Sequence, residues 1–365
     1  MLGLYIHIPF CQTICSYCDF PKRIANSREM IKEYLQSLKV EMESYRKHFF
    51  EVCSVYIGGG TPNSLSDEEL DLLLSYISIE GLHLKEFTIE INPELLTENQ
   101  IKILKKHQIN RISIGVQSFQ PELLKILKRN HDKQLVLKAV KSLKEAGFDN
   151  ISIDMIHSIP TQKISDLKAD LNEVINLDVQ HISYYGLSIE DKTMLKLEIE
   201  KNKYKIIDED LSVEFFQTTK ENLQNNNFTH YEISNFAKDN YQSFHNTLYW
   251  RNQKYIGIGV GAAGYLDNVR YNNNNYFKDY RISPIMSEEI LTIKDQLTYE
   301  IILGLRLLTG LNIVAINLKY NIDFFRDYPI VNELIKQKLL IFQDGFLFLS
   351  EEGILISNQV FEKFV

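Results

Sequence analysis

The chain has 365 residues, 44% hydrophobic and 24% charged, with a formal net charge of −8. That is a globular composition long enough for one barrel-sized domain plus a small one, and with no basic stripe it excludes nucleic acid as an evident partner. Four cysteines are too few for a disulfide framework at this length, and no run approaches the roughly 18 apolar residues that span a bilayer.

The first predicted strand, Leu4–Ile8, begins without positive charge and contains His7, so it does not read as a signal peptide; a reducing, cytoplasmic setting is expected. It runs into Cys11, Cys15 and Cys18, spaced Cys-x3-Cys-x2-Cys. Three thiolates this close suit a 4Fe–4S cluster with one iron left open. A zinc site prefers four Cys or His ligands in two pairs, and a redox Cys-x-x-Cys leaves Cys11 unexplained. Alternation places His7 with Tyr5, away from the cysteine loop or into a barrel. The fourth cysteine, Cys53, lies in an apolar strand and is expected to be a buried small hydrophobe.

Strands are then predicted at Val52–Ile57, Glu86–Ile91, Arg111–Val116, Asn150–Met155 and His181–Leu187. Amphipathic helices are predicted between them at Ser27–His48, Ser66–Ser78, Thr97–His107, Asp132–Ala146 and Ile164–Asn176. Repeated strand–helix order implies a parallel sheet with helical crossovers. Six units predict a partial (β/α)6 TIM-like barrel, with its chemistry at the C-terminal strand ends. Polar signatures fall at those ends: Gly58-Gly59-Gly60-Thr61-Pro62, Glu90 and Asn92, Gln117, Arg129 and Asp154. Singly, each reads as a cap or surface residue; one per strand, they form a ligand ring.

Beyond residue 190 the alternation fails. A helix is expected at Ile206–Asn225 and a strand at Phe228–Ser234, followed by an irregular stretch Asn235–Arg281 with an exposed Asn272–Asn275 loop. Within it, Gly259-x-Gly261-x-x-Gly264 imitates a dinucleotide motif but opens no helix, so that reading is rejected. Helices are expected at Asp295–Leu308, Ile313–Lys319, Ile330–Gln337 and Glu351–Phe364. Strands Leu339–Phe342 and Phe346–Leu349 should form a hairpin around Asp344-Gly345. This suggests a small winged-helix-like α+β domain without a basic recognition helix, in a packing or lid role. The expected division is 1–235 core, 236–290 irregular linking segment and 291–365 C-terminal domain.

The lead-in Tyr5-x-His7-x-Pro9-Phe10-Cys11 and the cysteine trio resemble the opening of the radical S-adenosylmethionine superfamily. They are most similar to its oxygen-independent coproporphyrinogen oxidase branch. The oxidase proper carries a further Cys two residues after the third; Phe20 stands there, as in the HemW-type haem chaperones. The resemblance spans essentially the whole chain. It implies that Cys11, Cys15 and Cys18 hold a 4Fe–4S cluster, and that S-adenosylmethionine chelates the open iron and is split there by one electron. Gly59, Gly60 and Thr61 then lie beside its amino group, Glu90 and Asp154 accept from its ribose hydroxyls, and Gln117 belongs to the ring that contacts ribose and carboxylate. Arg129, a planar fork, is the natural carboxylate partner. Tyr5 and Tyr17 are further candidate contacts, and the Gly259–Gly264 stretch a loop near the same pocket. The family often shows Gly-Leu-Pro-Gly-Gln after the fifth strand; here it is Ser158-Ile159-Pro160-Thr161-Gln162, which puts that loop's conformation in question.

The string His245-Asn246-Thr247-Leu248-Tyr249-Trp250 matches the His-Asn-x-x-Tyr-Trp of the haem chaperones. Read from residue types alone, a lone His is more often a satisfied structural residue, and Tyr and Trp at this spacing are more often core. The resemblance instead implies that His245 ligates haem iron, with Tyr249 and Trp250 against the macrocycle. Ser243 replaces a cysteine often found there. The implied function is a haem chaperone delivering to acceptor haemoproteins, among them respiratory ones, with a homodimer forming on haem binding. The alternatives are anaerobic coproporphyrinogen III decarboxylation or another radical reaction on a tetrapyrrole.

Overall fold

Alternate residues of the first six strands divide into an apolar face and a polar or small one, and this division builds a barrel. The computed structural model describes residues 1–77 and 84–365. Six parallel neighbours form its centre: β1 (Leu2–Ile8), β2 (Val52–Gly59), β3 (Glu86–Ile91), β4 (Arg111–Gln117), β5 (Ile151–His157) and β6 (His181–Gly186). Ile57, Ile89, Ile112 and Ile151 stand side by side in register on four of these strands, all fully buried. Helices α1 (Arg28–Ser44), α2 (Asp67–Ile77) and α3 (Glu98–Lys106) pack over this outer face. A short α4 (Pro121–Leu127) follows, then α5 (Lys133–Glu145) and α6 (Ile164–Asn176) complete the cover. The inner face is different. Gly3, Ser54 and Glu86 are one set of register partners, and Glu90, Ser113, Ser152 and His181 another. The interior is therefore a polar chamber rather than a filled apolar core.

The expected partial barrel is borne out. Strand bounds shift by a few residues, and α4, too short to show periodicity, was not predicted. The last residue expected for the second helix, Ser78, lies outside the described residues.

The chain continues through α7 (Met194–Glu200) and α8 (Glu209–Asn225) to the antiparallel strands β7 (Thr229–Glu232) and β8 (Asn235–Ala237) beside β6. Here one expectation is corrected: the stretch 236–290 is not irregular. It carries α9 (Phe244–Trp250) and β9 (Lys254–Ile258), which pairs parallel with β1. Strands β10 (Ala263–Leu266) and β11 (Val269–Asn273), helix α10 (Phe277–Ile282) and strand β12 (Ile285–Ile290) complete it. Among the described residues twelve strands thus form one open sheet with β12 and β7 at its edges. The Asn-rich composition misleads because some of these amides serve buried partners. Asn273 is 0% exposed and donates to the Glu41 carboxylate (2.6 Å) and the Gly259 carbonyl (2.9 Å), so it belongs to no exposed loop. Cys53 is half-buried rather than buried, its thiol 3.5 Å from the Leu2 carbonyl at the sheet's lower rim.

From α11 (Ile293–Gly304) onward a second core gathers Leu297, Ile301, Leu334, Leu347 and Phe361. A three-stranded sheet, Leu311–Asn312, Phe346–Leu349 and Leu340–Gln343, packs with helices Ile313–Tyr320 and Ile330–Lys336. Asp344 and Gly345 both turn left-handed (φ 52° and 84°), the geometry a two-residue hairpin loop demands. The helix expected over Glu351–Phe364 breaks at Ile356 into shorter pieces.

Candidate functional site

The three cysteines ride on a loop pinned at both ends. Cys11 N–H donates to the Arg23 carbonyl (3.0 Å) and Arg23 N–H to the Pro9 carbonyl (2.7 Å), closing the loop like a short ladder. Its middle is fastened through Ser16, whose hydroxyl donates to the Ile126 carbonyl (2.6 Å) at the end of α4. From inside the barrel His7 reaches the same loop: Nε2 lies 2.7 Å from the Pro21 carbonyl and Nδ1 3.0 Å from the Tyr5 hydroxyl. Burial holds the ring's pKa down to about 4, so it is neutral. A carbonyl only accepts, so Nε2 carries the proton and Tyr5 donates to Nδ1. His7 thus sits with Tyr5, as alternation required, and ties the barrel wall to the loop.

All four cysteines are free, and the trio is close enough for Cys11 to feel the charges of Cys15 and Cys18. Burial pushes the Cys11 thiol up to about 11, while the Thr61 hydroxyl beside it works the other way. Burial raises Cys18 as well. A metal binding here must therefore displace protons. Among the described residues, no three His, Cys, Asp or Glu converge on a single ion. A cluster asks for less, because each thiolate meets a different iron.

The glycine turn after β2 lies against this loop. Gly60 N–H donates to the Ile8 carbonyl and Thr61 N–H to the Phe10 carbonyl, both at 2.8 Å, and Gly59 N–H to Glu90 Oε2 at 3.1 Å. With these amides taken, the turn has carbonyl oxygens to offer an ammonium. A Cβ placed on Gly60 would lie 2.9 Å from the Cys11 sulfur, and one on Gly58 2.8 Å from the Glu90 carboxylate. Only glycines allow both approaches.

Below the loop opens a cavity of about 1410 Å³, lined deeply by Tyr17, Tyr56, Glu90, Asp154, Ser183 and Tyr185. Glu90 accepts from the Tyr56 hydroxyl (2.8 Å), and burial raises its carboxyl to about 7. Asp154 accepts from the Ser113 hydroxyl, and burial raises it too. Tyr5 and Tyr17 are held as neutral phenols by burial. Arg129 stands beside Cys15, Nη1 3.7 Å from its sulfur, while Nη2 donates to Asn92 Oδ1 (2.9 Å) and the Gly115 carbonyl (2.6 Å). Gln117, at the tip of β4, adopts a left-handed φ of 63°, a strained position typical of ligand sites. Two buried atoms here, Arg129 Nε and Gln117 Oε1, lack a partner among the described residues. Three free thiols, a backbone cradle that excludes a Cβ and these orphaned polar atoms fit a 4Fe–4S cluster with S-adenosylmethionine.

The structure does not bring the His245 string to this cavity. Helix α9 lies under the barrel at the N-terminal strand ends. There Glu86 accepts from the Phe244 and His245 amides (2.8 and 3.0 Å), and Arg111 lies 3.7 Å from the same carboxylate. His245 is 0% exposed, with Nδ1 2.9 Å from the Ser54 hydroxyl and Nε2 2.7 Å from the Tyr249 hydroxyl. Trp250 lies under the Arg306 guanidinium, 4.4 Å from ring centre to Cζ. In this arrangement both ring nitrogens are engaged, so His245 cannot ligate iron without first giving up one of these hydrogen bonds.

Several cavity residues escaped the sequence reading. Tyr56, Ser183 and Tyr185 occupy inward positions of β2 and β6, which the alternation that identified the strands could have supplied. Tyr276 and Phe277 lie in the stretch taken as irregular and carried no local signal. The Gly259–Gly264 turn does border the cavity through Val260 and Gly261, and leads into β10 rather than a helix. At Ser158 and Thr161 the backbone keeps left-handed angles (φ 61° and 70°) that glycine would adopt without strain.

Two family models match the chain: the Radical SAM superfamily over residues 5–174 and the HemN C-terminal domain over residues 291–356. The chain is 37% identical to "Heme chaperone HemW" of Lactococcus lactis, covering 99% of this chain and 96% of that protein. It is 33% identical to the protein of the same description from Bacillus subtilis, covering 100% and 99%. Among solved structures, coproporphyrinogen III oxidase (HemN) from Escherichia coli superimposes with a TM-score of 0.86 at 21% identity, over 100% of this chain and 89% of that one. At that identity the likeness shows the fold.

Proposed function

The chain belongs to the HemW heme-chaperone family of the radical SAM superfamily, and from that premise we propose that it binds haem and passes it to acceptor haemoproteins. The observation that carries the reading is a three-thiol loop over a cavity of about 1410 Å³, with Phe20 and no fourth thiol at its edge. Cys11, Cys15 and Cys18 hold the cluster. A cluster there supplies one-electron reduction to bound S-adenosylmethionine. The protein's own groups bind and orient. Arg129 faces the carboxylate beside Cys15. The Gly59–Thr61 turn takes the ammonium on its carbonyls. Glu90 and Asp154 accept from the ribose hydroxyls, and Tyr17 closes part of the wall, with Tyr5 and Gln117 as further contacts.

The proposal includes a respiratory haemoprotein as acceptor and a homodimer formed with haem. It also includes a reducing cytoplasmic setting, which suits four free cysteines. Among the described residues, no helix is long and apolar enough to cross a membrane. The test is a parallel assay on protein reconstituted anaerobically with iron and sulfide. Haemin binding is followed by absorption, haem transfer by the spectrum of an added apo-haemoprotein, and coproporphyrinogen III turnover with S-adenosylmethionine and reductant. Haemin binding and transfer without turnover is expected. Turnover without haemin affinity overturns the proposal in favour of the oxidase.

A further inference from the structure

The deep half of the cavity is polar, but its mouth is not. Phe20, on the cysteine loop, is 67% exposed, and Tyr276, at the start of α10, is 74% exposed; both border the same opening, with Phe277 beside Tyr276. Their segments are neighbours, since Pro21 and Asn275 both crowd the space beside Gly261; large aromatic faces left to water at the rim of one cavity are unusual unless something covers them. The same rim carries cations. Arg23 lies 5.3 Å over the Phe277 ring, and its buried Nε has no hydrogen-bond partner among the described residues. Lys192 has no ion pair among the described residues and is exposed. Lys22 is engaged with the Cys18 and Phe20 carbonyls. The carboxylates at the mouth are Asp19, Glu190 and Asp191; Glu190 holds the Ser188 hydroxyl, and Asp191 lies 3.8 Å from Lys196. Arg23 and Lys192 are the cations left to meet an anion.

S-adenosylmethionine has no use for such a rim. Flat apolar faces flanked by two cations are complementary to a planar, apolar dicarboxylate. We propose that haem is held at this mouth, against the exposed rings of Phe20 and Tyr276 with its propionates toward Arg23 and Lys192, and not at His245. The proposal rests on the haem-chaperone reading and gives that reading a site. Among the described residues no His or Met borders the cavity, so the hold comes from ring faces and carboxylates rather than from a strong axial bond. A loosely ligated haem suits a protein that must give it up, and the mouth leaves it open to an acceptor.

The experiment titrates the reconstituted full chain with haemin and, separately, with metal-free protoporphyrin IX, by absorption and fluorescence quenching. Protoporphyrin IX should bind within about threefold of haemin, because iron contributes little. The double variant Phe20→Ala/Tyr276→Ala should weaken both ligands about tenfold or more, and Lys192→Glu should weaken both several-fold. These residues are exposed, so the variants keep the fold, checked by iron content and circular dichroism. His245→Asn, keeping the cluster, should leave haemin affinity unchanged. Loss of haemin binding in His245→Asn with the mouth variants unaffected overturns this site but leaves the chaperone reading standing. So does a haemin complex that protoporphyrin IX cannot match. Wild-type protein that takes up no haemin overturns both.

Discussion

The Nε2 of His245 lies 2.7 Å from the hydroxyl of Tyr249, so two residues that the family resemblance assigns to haem are bound to each other. Their helix closes the lower end of a polar barrel. With the Ser54 hydroxyl on Nδ1, the imidazole joins β2 to α9. Replacing His245 with Ala removes two buried hydrogen bonds and leaves a void, which should cost about 2–4 kcal/mol, read as a lower urea midpoint. A change within 0.5 kcal/mol would show that the ring is not the floor's anchor.

The same imidazole makes stability sensitive to acid. Burial lowers its pKa to about 3, against 6.5 unperturbed. Below pH 6.5 the unfolded chain takes up a proton that the folded one refuses, so this group subtracts stability progressively as pH falls from 6.5 toward 3. Above pH 6.5 both states are neutral there and it contributes no slope. His245→Asn should therefore lose stability less steeply than the wild type over that range, measured by denaturant unfolding at several pH values. Parallel curves would contradict the buried neutral ring.

Glu86 caps α9 and faces Arg111, both sealed in the barrel floor. Glu86→Ala should uncap the helix and strand a buried guanidinium, costing about 3–5 kcal/mol. The double change Glu86→Ala/Arg111→Met should recover a large part of this loss. No recovery would mean that the cap, not the charge pair, carries the energy.

Gly60 has room for no side chain. Its ideal Cβ falls 2.9 Å from the Cys11 sulfur and 2.8 Å from the Pro9 carbonyl carbon. Gly60→Ala should leave a folded chain that retains substantially less iron and sulfide after reconstitution, with the visible absorption of the cluster reduced in step. Full iron content in that variant would place the cluster away from this turn.

Thr161 holds a left-handed φ of 70° on an exposed turn, which disfavours a β-branched residue. Thr161→Gly should raise stability by roughly 0.5–1 kcal/mol once the added freedom of the unfolded chain is subtracted. Ser158 should not behave alike, because its hydroxyl lies 3.0 Å from His157 Nδ1 and 2.9 Å from the Ser212 hydroxyl. The substituted turn keeps its glycine-like shape at the price of local strain at Thr161, while Ser158 offsets its own with these bonds.

Much of this molecule is written locally. The spacing of Cys11, Cys15 and Cys18, the Ile ladder of the barrel strands and the Asp344-Gly345 turn each follow from short-range rules: residue period, loop chemistry and left-handed backbone. The sequence by itself determined those, because each depends only on neighbours a few positions away. What surrounds His245 was decided by folding. Ser54 and Glu86 come to it from strands far off in the chain, and their hydrogen bonds turn an apparent ligand into a barrel plug. The cavity mouth is of the same kind, with Phe20 and Tyr276 meeting only because β9 pairs with β1 and carries the later segment round to the cysteine loop. A side chain's partners are set by three-dimensional packing, and no local pattern encodes which distant atom will satisfy a given nitrogen.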